Sequence, residues 1–149
     1  MKDYLRIYSS GAMCGVSEEQ SRSWRTALKD AFYSRTDAVK FFDPWDYEGL
    51  SPSEYDPIYS MKTDIRFLRQ SDLVIVETIL NPLSVGTNME LAIAYDRGIP
   101  IIGICDGSKQ LHDWIYSVVD RWFDINAAQQ NGVDIYKEIV DYVLRDYKW

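Results

Sequence analysis

The chain has 149 residues, 46% hydrophobic and 26% charged, which excludes a disordered segment and describes a single globular domain over residues 1–149. Its net charge of -7 and isoelectric point near 4.6 exclude a basic surface that tracks a nucleic-acid polymer, while a single nucleotide held by local donors remains open. No apolar run reaches membrane-spanning length, and the start, MKDYLRIYSS, reads as a strand and not as a signal peptide, so a cytoplasmic protein with no membrane partner is expected.

Tyr4 to Tyr8 predicts the first strand, followed by a small-residue loop, Ser9 to Gly15, in which glycine lets backbone approach a ligand closely. Ser17-Glu18-Glu19-Gln20 is a capping-box pattern opening a helix with an apolar stripe of Trp24, Ala27, Leu28, Ala31 and Phe32. Val39 to Phe42 predicts a second strand, stopped by Asp43-Pro44. From Trp45 to Asp56, with Gly49 and Pro52, the chain reads as a loop whose Trp45, Tyr47 and Tyr55 either stack on a base or fasten the loop to the body. A helical stripe follows at Ile58, Met61, Ile65 and Leu68, with Asp64 on its border.

Leu73 to Val76 is a short β-branched run suited to a strand buried on both faces. A loop around Asn81-Pro82, a helix ending at Arg97-Gly98, and a second buried strand from Pro100 to Cys105 complete a right-handed parallel crossover unit. Leu111 to Ile115 starts a short helix, Arg121 to Phe123 an edge strand, and Tyr136, Ile139, Val140, Val143 and Leu144 mark the last amphipathic helix. Strands alternating with helices predict an α/β three-layer sandwich. Cys14 and Cys105 match no metal or redox spacing and read as reduced thiols; no metal and no cofactor is expected.

Ligands in such sheets bind beyond the carboxyl ends of the strands, where helices begin. Glu90 falls there, and so does Asp64, because its helix starts at that rim; Asp72 falls at the opposite edge, five strand residues or roughly 16 Å away. Glu77 ends its strand at the rim as a third carboxylate. Thr87-Asn88-Met89-Glu90 also fits a capping box, which would use Glu90 structurally. Two acids at one rim suit glycosidic chemistry, one attacking the anomeric carbon and the other, kept protonated, supporting the leaving group.

Three stretches, Arg6-Ile7-Tyr8 with the Gly11-Ala12-Met13 loop, Asp64 to Asp72, and Ser84-Val85-Gly86-Thr87-Asn88-Met89-Glu90-Leu91-Ala92, together resemble the nucleoside 2-deoxyribosyltransferase family. That family includes the 2'-deoxynucleoside 5'-phosphate N-hydrolases and the CMP N-glycosidases. The resemblance implies a flavodoxin-like five-stranded parallel sheet of order 2-1-3-4-5. It also implies a homodimer or higher homo-oligomer with shared active sites, Glu90 as nucleophile forming a covalent sugar-enzyme intermediate, Asp64 as acid/base and Tyr8 positioning Glu90. Gly11 and Met13 would line the substrate site.

The chain departs from the transferases at Ser84, where many of them carry an aspartate, and at Ala92, where glycine is frequent. In the monophosphate hydrolases that position is a serine that binds phosphate together with helix-start amides, here those of Gly86 and Thr87. A hydroxyl beside a helix N-terminus attracts phosphate, whereas a carboxylate repels it. His112, the single histidine, and Trp114 fall where related enzymes reach into the partner's site; a lone histidine also serves structural ends. The expected function is N-glycosidic cleavage of a nucleoside 5'-monophosphate, a small-molecule substrate. The alternatives are deoxyribosyl transfer between bases and a nucleotide-binding sensor without turnover.

Overall fold

The computed structural model describes residues 3–48 and 54–147; Gly49 and Pro52 of the expected loop lie outside the described residues. The elements run β1 (Leu5–Ser10), α1 (Glu18–Tyr33), β2 (Val39–Phe42), α2 (Trp45–Glu48), α3 (Pro57–Arg69), β3 (Leu73–Glu77), α4 (Val85–Asp96), β4 (Ile101–Cys105), α5 (Asp113–Val118), β5 (Arg121–Asp124), α6 (Ile125–Gln130) and α7 (Ile135–Arg145). The five strands pair in parallel in the order β2-β1-β3-β4-β5, the α/β flavodoxin-like arrangement.

Each central strand is apolar on both faces because helices cover both. Leu5, Ile7, Leu73, Ile75, Ile102 and Ile104 pack with α1, α6 and α7, whereas Tyr8, Val74, Val76 and Ile101 pack with α3, α4 and α5. Fully burying one such side chain stabilises the fold by about 1.5–3 kcal/mol, so these strands dominate the core. α1 opens with the expected capping box: Gln20 N donates to Ser17 Oγ at 3.1 Å and Ser17 N to Gln20 Oε1 at 3.4 Å. Gly98 takes φ of 68°, the left-handed conformation that ends α4.

Four differences from the sequence reading have local causes. β1 continues two residues past Tyr8, because Ser9 and Ser10 pair with Ile75 and Val76. Trp45–Glu48 is a helical turn and not loop, started by Asp43 Oδ1 accepting from Trp45 N at 3.0 Å. On α3, Ile58 and Met61 are exposed, and Leu68 is the member of the expected stripe that is fully buried; Met61 and Ile65 instead line a cavity. α6 forms directly after β5, capped by Asp124 accepting from Asn126 N at 2.9 Å.

The strand order reverses at β1 and β3: β1 feeds α1 on one face and β3 feeds α4 on the other. Their carboxyl ends diverge into a crevice, the switch point at which this class of sheet accommodates ligands. No helix among the described residues is long and apolar enough to cross a membrane.

Candidate active site

Side-chain alternation on β1 puts Tyr8 and Ser10 on the same face, under α3 and α4. Both are wholly buried. The Ser10 hydroxyl donates to Glu90 Oε2 at 3.2 Å across 80 residues of sequence. Glu90 can face the sheet because α4 begins at Val85, with Ser84 at the N-cap, so Thr87 lies inside the helix and the Thr87–Glu90 capping pair does not form. The early start follows from the Asn81 turn, in which Ser84 N donates to Asn81 O at 3.2 Å and Leu83 N to Asn81 Oδ1 at 3.2 Å.

Ser84 makes no side-chain cap bond to α4; its hydroxyl accepts from Thr87 Oγ1 at 3.2 Å. The first-turn N–H groups of a helix have no intrahelical acceptor, so this end offers donors and a positive dipole to an anion.

Asp64 comes from the middle of α3, a helix fixed at its start by Pro57 and by Asp56, which accepts from Ile58 N at 2.9 Å. It is half-buried and lines the same cavity as Glu90. Tyr8 stands next to both acids. Burial pushes its phenol pKa well above the ordinary 10.0, and the charges of Glu90 and Asp64 act in the same direction. The phenol therefore stays protonated, a permanent donor beside two carboxylates.

The cavity measures about 690 Å³, of a size for a nucleoside-sized ligand. Gly11, Met13 and Cys14 of the β1–α1 loop form one part of its wall, Trp45 and Tyr55 another, and Ser60, Met61, Asp64 and Ile65 of the α3 side a third. Ser84, Gly86, Thr87, Met89 and Glu90 close the α4 side. Among the described residues no lysine or arginine lines it. No group of His, Cys, Asp or Glu among the described residues is placed to hold a metal ion.

The structure brings Tyr8, Gly11, Met13, Asp64, Ser84, Gly86, Thr87 and Glu90 together. Two candidates lie elsewhere: His112 is the N-cap of α5, its Nδ1 accepting from Trp114 N at 3.2 Å, and Trp114 is 80% exposed; neither lines the cavity. Asp72 sits at the far edge, with Oδ2 accepting from Arg6 N at 3.0 Å and from Arg6 Nε at 3.1 Å. Glu77 Oε1 accepts from the N–H groups of Ile79 and Leu80 and so closes the turn after β3 outside the cavity. Burial raises its pKa, opposed by those two bonds and by Arg25.

Several solved structures share this fold. A conserved protein from Enterococcus faecalis V583 superposes with a TM-score of 0.71 at 15% identity, covering 91% of this chain and 99% of that one. The 2-deoxyribosyltransferase of Bacillus psychrosaccharolyticus gives 0.68 at 16% identity, covering 92% and 91%, and the CMP N-glycosidase BcmB of Clostridium botulinum 0.64 at 16%, covering 92% and 98%. A deoxyribosyltransferase and a CMP N-glycosidase thus share this chain's fold. Both are kinds of protein that the sequence resembles. No protein-family model matches the chain, and no curated protein sequence does.

Sequence reasoning missed two residues. Ser10 falls in the small-residue stretch that reads as a loop, and its alternation with Tyr8 on an extended strand is the one sign of its position. Arg25 is 1% exposed on the buried side of α1, beside Trp24; an arginine one turn after Ser21 and three residues before Leu28 was the available sign.

Proposed function

We propose that the chain cleaves the N-glycosidic bond of a nucleoside 5'-monophosphate. The observation that carries this reading is the convergence of Glu90 and Asp64 on one cavity that also contains the uncapped start of α4, with the buried Tyr8 beside both acids. Glu90, oriented by Ser10, attacks the anomeric carbon; the bond to the base nitrogen breaks, and Asp64 in its acid form supports the departing base with its proton. Water then attacks the glycosyl ester, Asp64 takes the water's proton, and Glu90 is released as carboxylate. The net reaction adds one water and yields free base and sugar 5'-phosphate.

The phosphate would rest on the Ser84 hydroxyl and the amides of Gly86 and Thr87. Hydrogen bonds to a charged group are worth about 1.5–3 kcal/mol, so even one gives roughly tenfold preference over the unphosphorylated nucleoside. The test is kcat/KM for a matched nucleoside and 5'-monophosphate pair on wild type and on Ser84→Asp. The variant is expected to lose most of the preference, because its carboxylate repels the phosphate. An unchanged ratio would reduce Ser84 to a turn residue. The lack of a lysine or arginine among the described lining residues favours a second reading, transfer of a deoxyribosyl group from an uncharged nucleoside to another base. Release of a second base's nucleoside when free base is added distinguishes it.

We also propose that copies of the chain self-associate through α4 and α5, which pack on each other and expose Val85, Met89, Tyr95, Trp114 and Tyr116. Such a patch on a small domain is normally covered. Sedimentation of wild type against a Tyr95→Glu, Trp114→Glu variant tests it, with a shift to monomer expected.

A further inference from the structure

The cavity wall nearest α1 is held by a buried cation. Arg25 Nη1 donates to Ser21 O at 2.6 Å and to Ser21 Oγ at 2.8 Å, and Nη2 donates to Gly11 O at 3.0 Å. The Ser21 hydroxyl in turn donates to Ala12 O at 2.7 Å and accepts from Trp45 Nε1 at 2.9 Å. Asp43 supplies the countercharge, 3.5 Å from Arg25 Nε, with Lys29 on its other oxygen.

Every end of this network is a segment at the carboxyl rim: the loop after β1, the end of β2 and the start of α2. Residues 11–13 have no regular secondary structure, so side chains replace the ladder in holding their carbonyls. The glycine at 11 serves this packing and not only a ligand, because a Cβ there would stand 2.8 Å from the Trp24 ring. Gly11 and Trp45 both line the cavity. A buried ion network of this kind is a costly way to gain stability, since apolar residues of equal volume commonly do as well, but it fixes directions that apolar contacts leave free.

We infer that Arg25, with Ser21 as its hub, is a positioning residue that presets the 11–13 loop and the Trp45 ring as the wall against which the flat base of the substrate packs. The identity of the base as ligand rests on the function proposed above; the presetting of the wall does not. A guanidinium suits the task because its planar fork reaches two carbonyls at once, which a lysine cannot reproduce.

The experiment uses Ser21→Ala, Arg25→Lys and Arg25→Met in the full chain. Two readouts are independent of turnover: the alkylation rate of Cys14, which is exposed two residues beyond Ala12 and is resolved from Cys105 by peptide mapping, and the ¹⁹F line of 5-fluorotryptophan at position 45, assigned with Trp45→Phe. In Ser21→Ala the Cys14 rate should change at least about threefold and the Trp45 line should move, while KM rises about tenfold and kcat stays within about threefold. Arg25→Lys should recover part of each value relative to Arg25→Met; if the methionine variant does not fold, Ser21→Ala and Arg25→Lys decide. A folded Ser21→Ala protein with wild-type Cys14 rate and Trp45 line overturns the inference, and so does a loss confined to kcat. Shifted loop signals in a protein whose wild type turns over no nucleoside or nucleotide would sink the glycosidase reading and leave the positioning role standing.

Discussion

The two ends of the central strands each hold acidic residues, in opposite surroundings. Before β3, Asp72 accepts from the backbone N and Nε of Arg6 on one oxygen and from Nη2 on the other at 3.1 Å, while the Tyr147 hydroxyl donates to its carbonyl at 3.1 Å. Beyond the carboxyl ends, Glu90 and Asp64 face a cavity without a lysine or arginine among its described lining; behind them lie the buried Tyr8, near both, and Ser10, which donates to Glu90. An acid answered by a forked cation is committed to holding strands together. One that accepts from a hydroxyl at a cavity wall, as Glu90 does from Ser10, has no such cation among the described lining residues, and the proposed chemistry assigns it the reacting role.

The comparison is broken most directly at Glu90. Glu90→Ala should lower single-turnover cleavage at least about a thousandfold, as loss of a nucleophile does. The cost to stability should be only about 0.5–1.5 kcal/mol, for one hydrogen bond from Ser10, measured by urea denaturation. Near-normal turnover in the folded variant would end the covalent mechanism.

Asp64→Asn and Asp72→Asn test the two ends against each other. Replacing the rim acid should slow cleavage about a hundredfold or more with little change in stability. Replacing the ion-paired one should leave the rate within about threefold while lowering stability by about 1–2 kcal/mol. Equal rate losses would mean that the two ends do not differ in function.

Ser10→Ala is expected to cost less, about tenfold in kcat with KM nearly unchanged, because it removes one orienting bond and no reacting group. An equal rise in KM would point instead to a collapsed cavity.

The smallest effect is expected at Glu77, which is buried at the same rim but outside the cavity. Its folded pKa is raised above 4.5, chiefly by burial, so the folded chain holds this proton more tightly than the unfolded one. The contribution is complete below the ordinary carboxylate value and is lost as pH rises through the raised folded one. Glu77→Gln should therefore raise Tm modestly at pH 7 and flatten the part of the stability–pH curve just above 4.5. A lowered Tm at pH 7 would show that the bonds to Ile79 and Leu80 outweigh burial.

Local pattern alone located β2, the Ser17–Gln20 capping box, the Gly98 stop and the buried run of β3, because each depends on neighbours within a few residues. The parallel direction of the strands and the placement of Asp64 and Asp72 at opposite edges followed from crossover geometry, which also acts through short segments, whereas the strand order came from the family resemblance. Only the structure showed where α4 begins, and with it whether Glu90 caps a helix or faces the sheet: Thr87 and Ser84 are both acceptable caps by residue type, and the Asn81 turn selects the second. Tertiary structure decided that Ser10 reaches Glu90, that Arg25 is an interior residue, and that His112 lies away from this chain's cavity. The contact of Ser10 with Glu90 joins residues 80 positions apart, and strand alternation gives the face of Ser10 but not its partner. Such a contact exists once the parallel register of β1 on β3 has brought two loops to one rim, because hydrogen bonds act over about 3 Å and not along the chain.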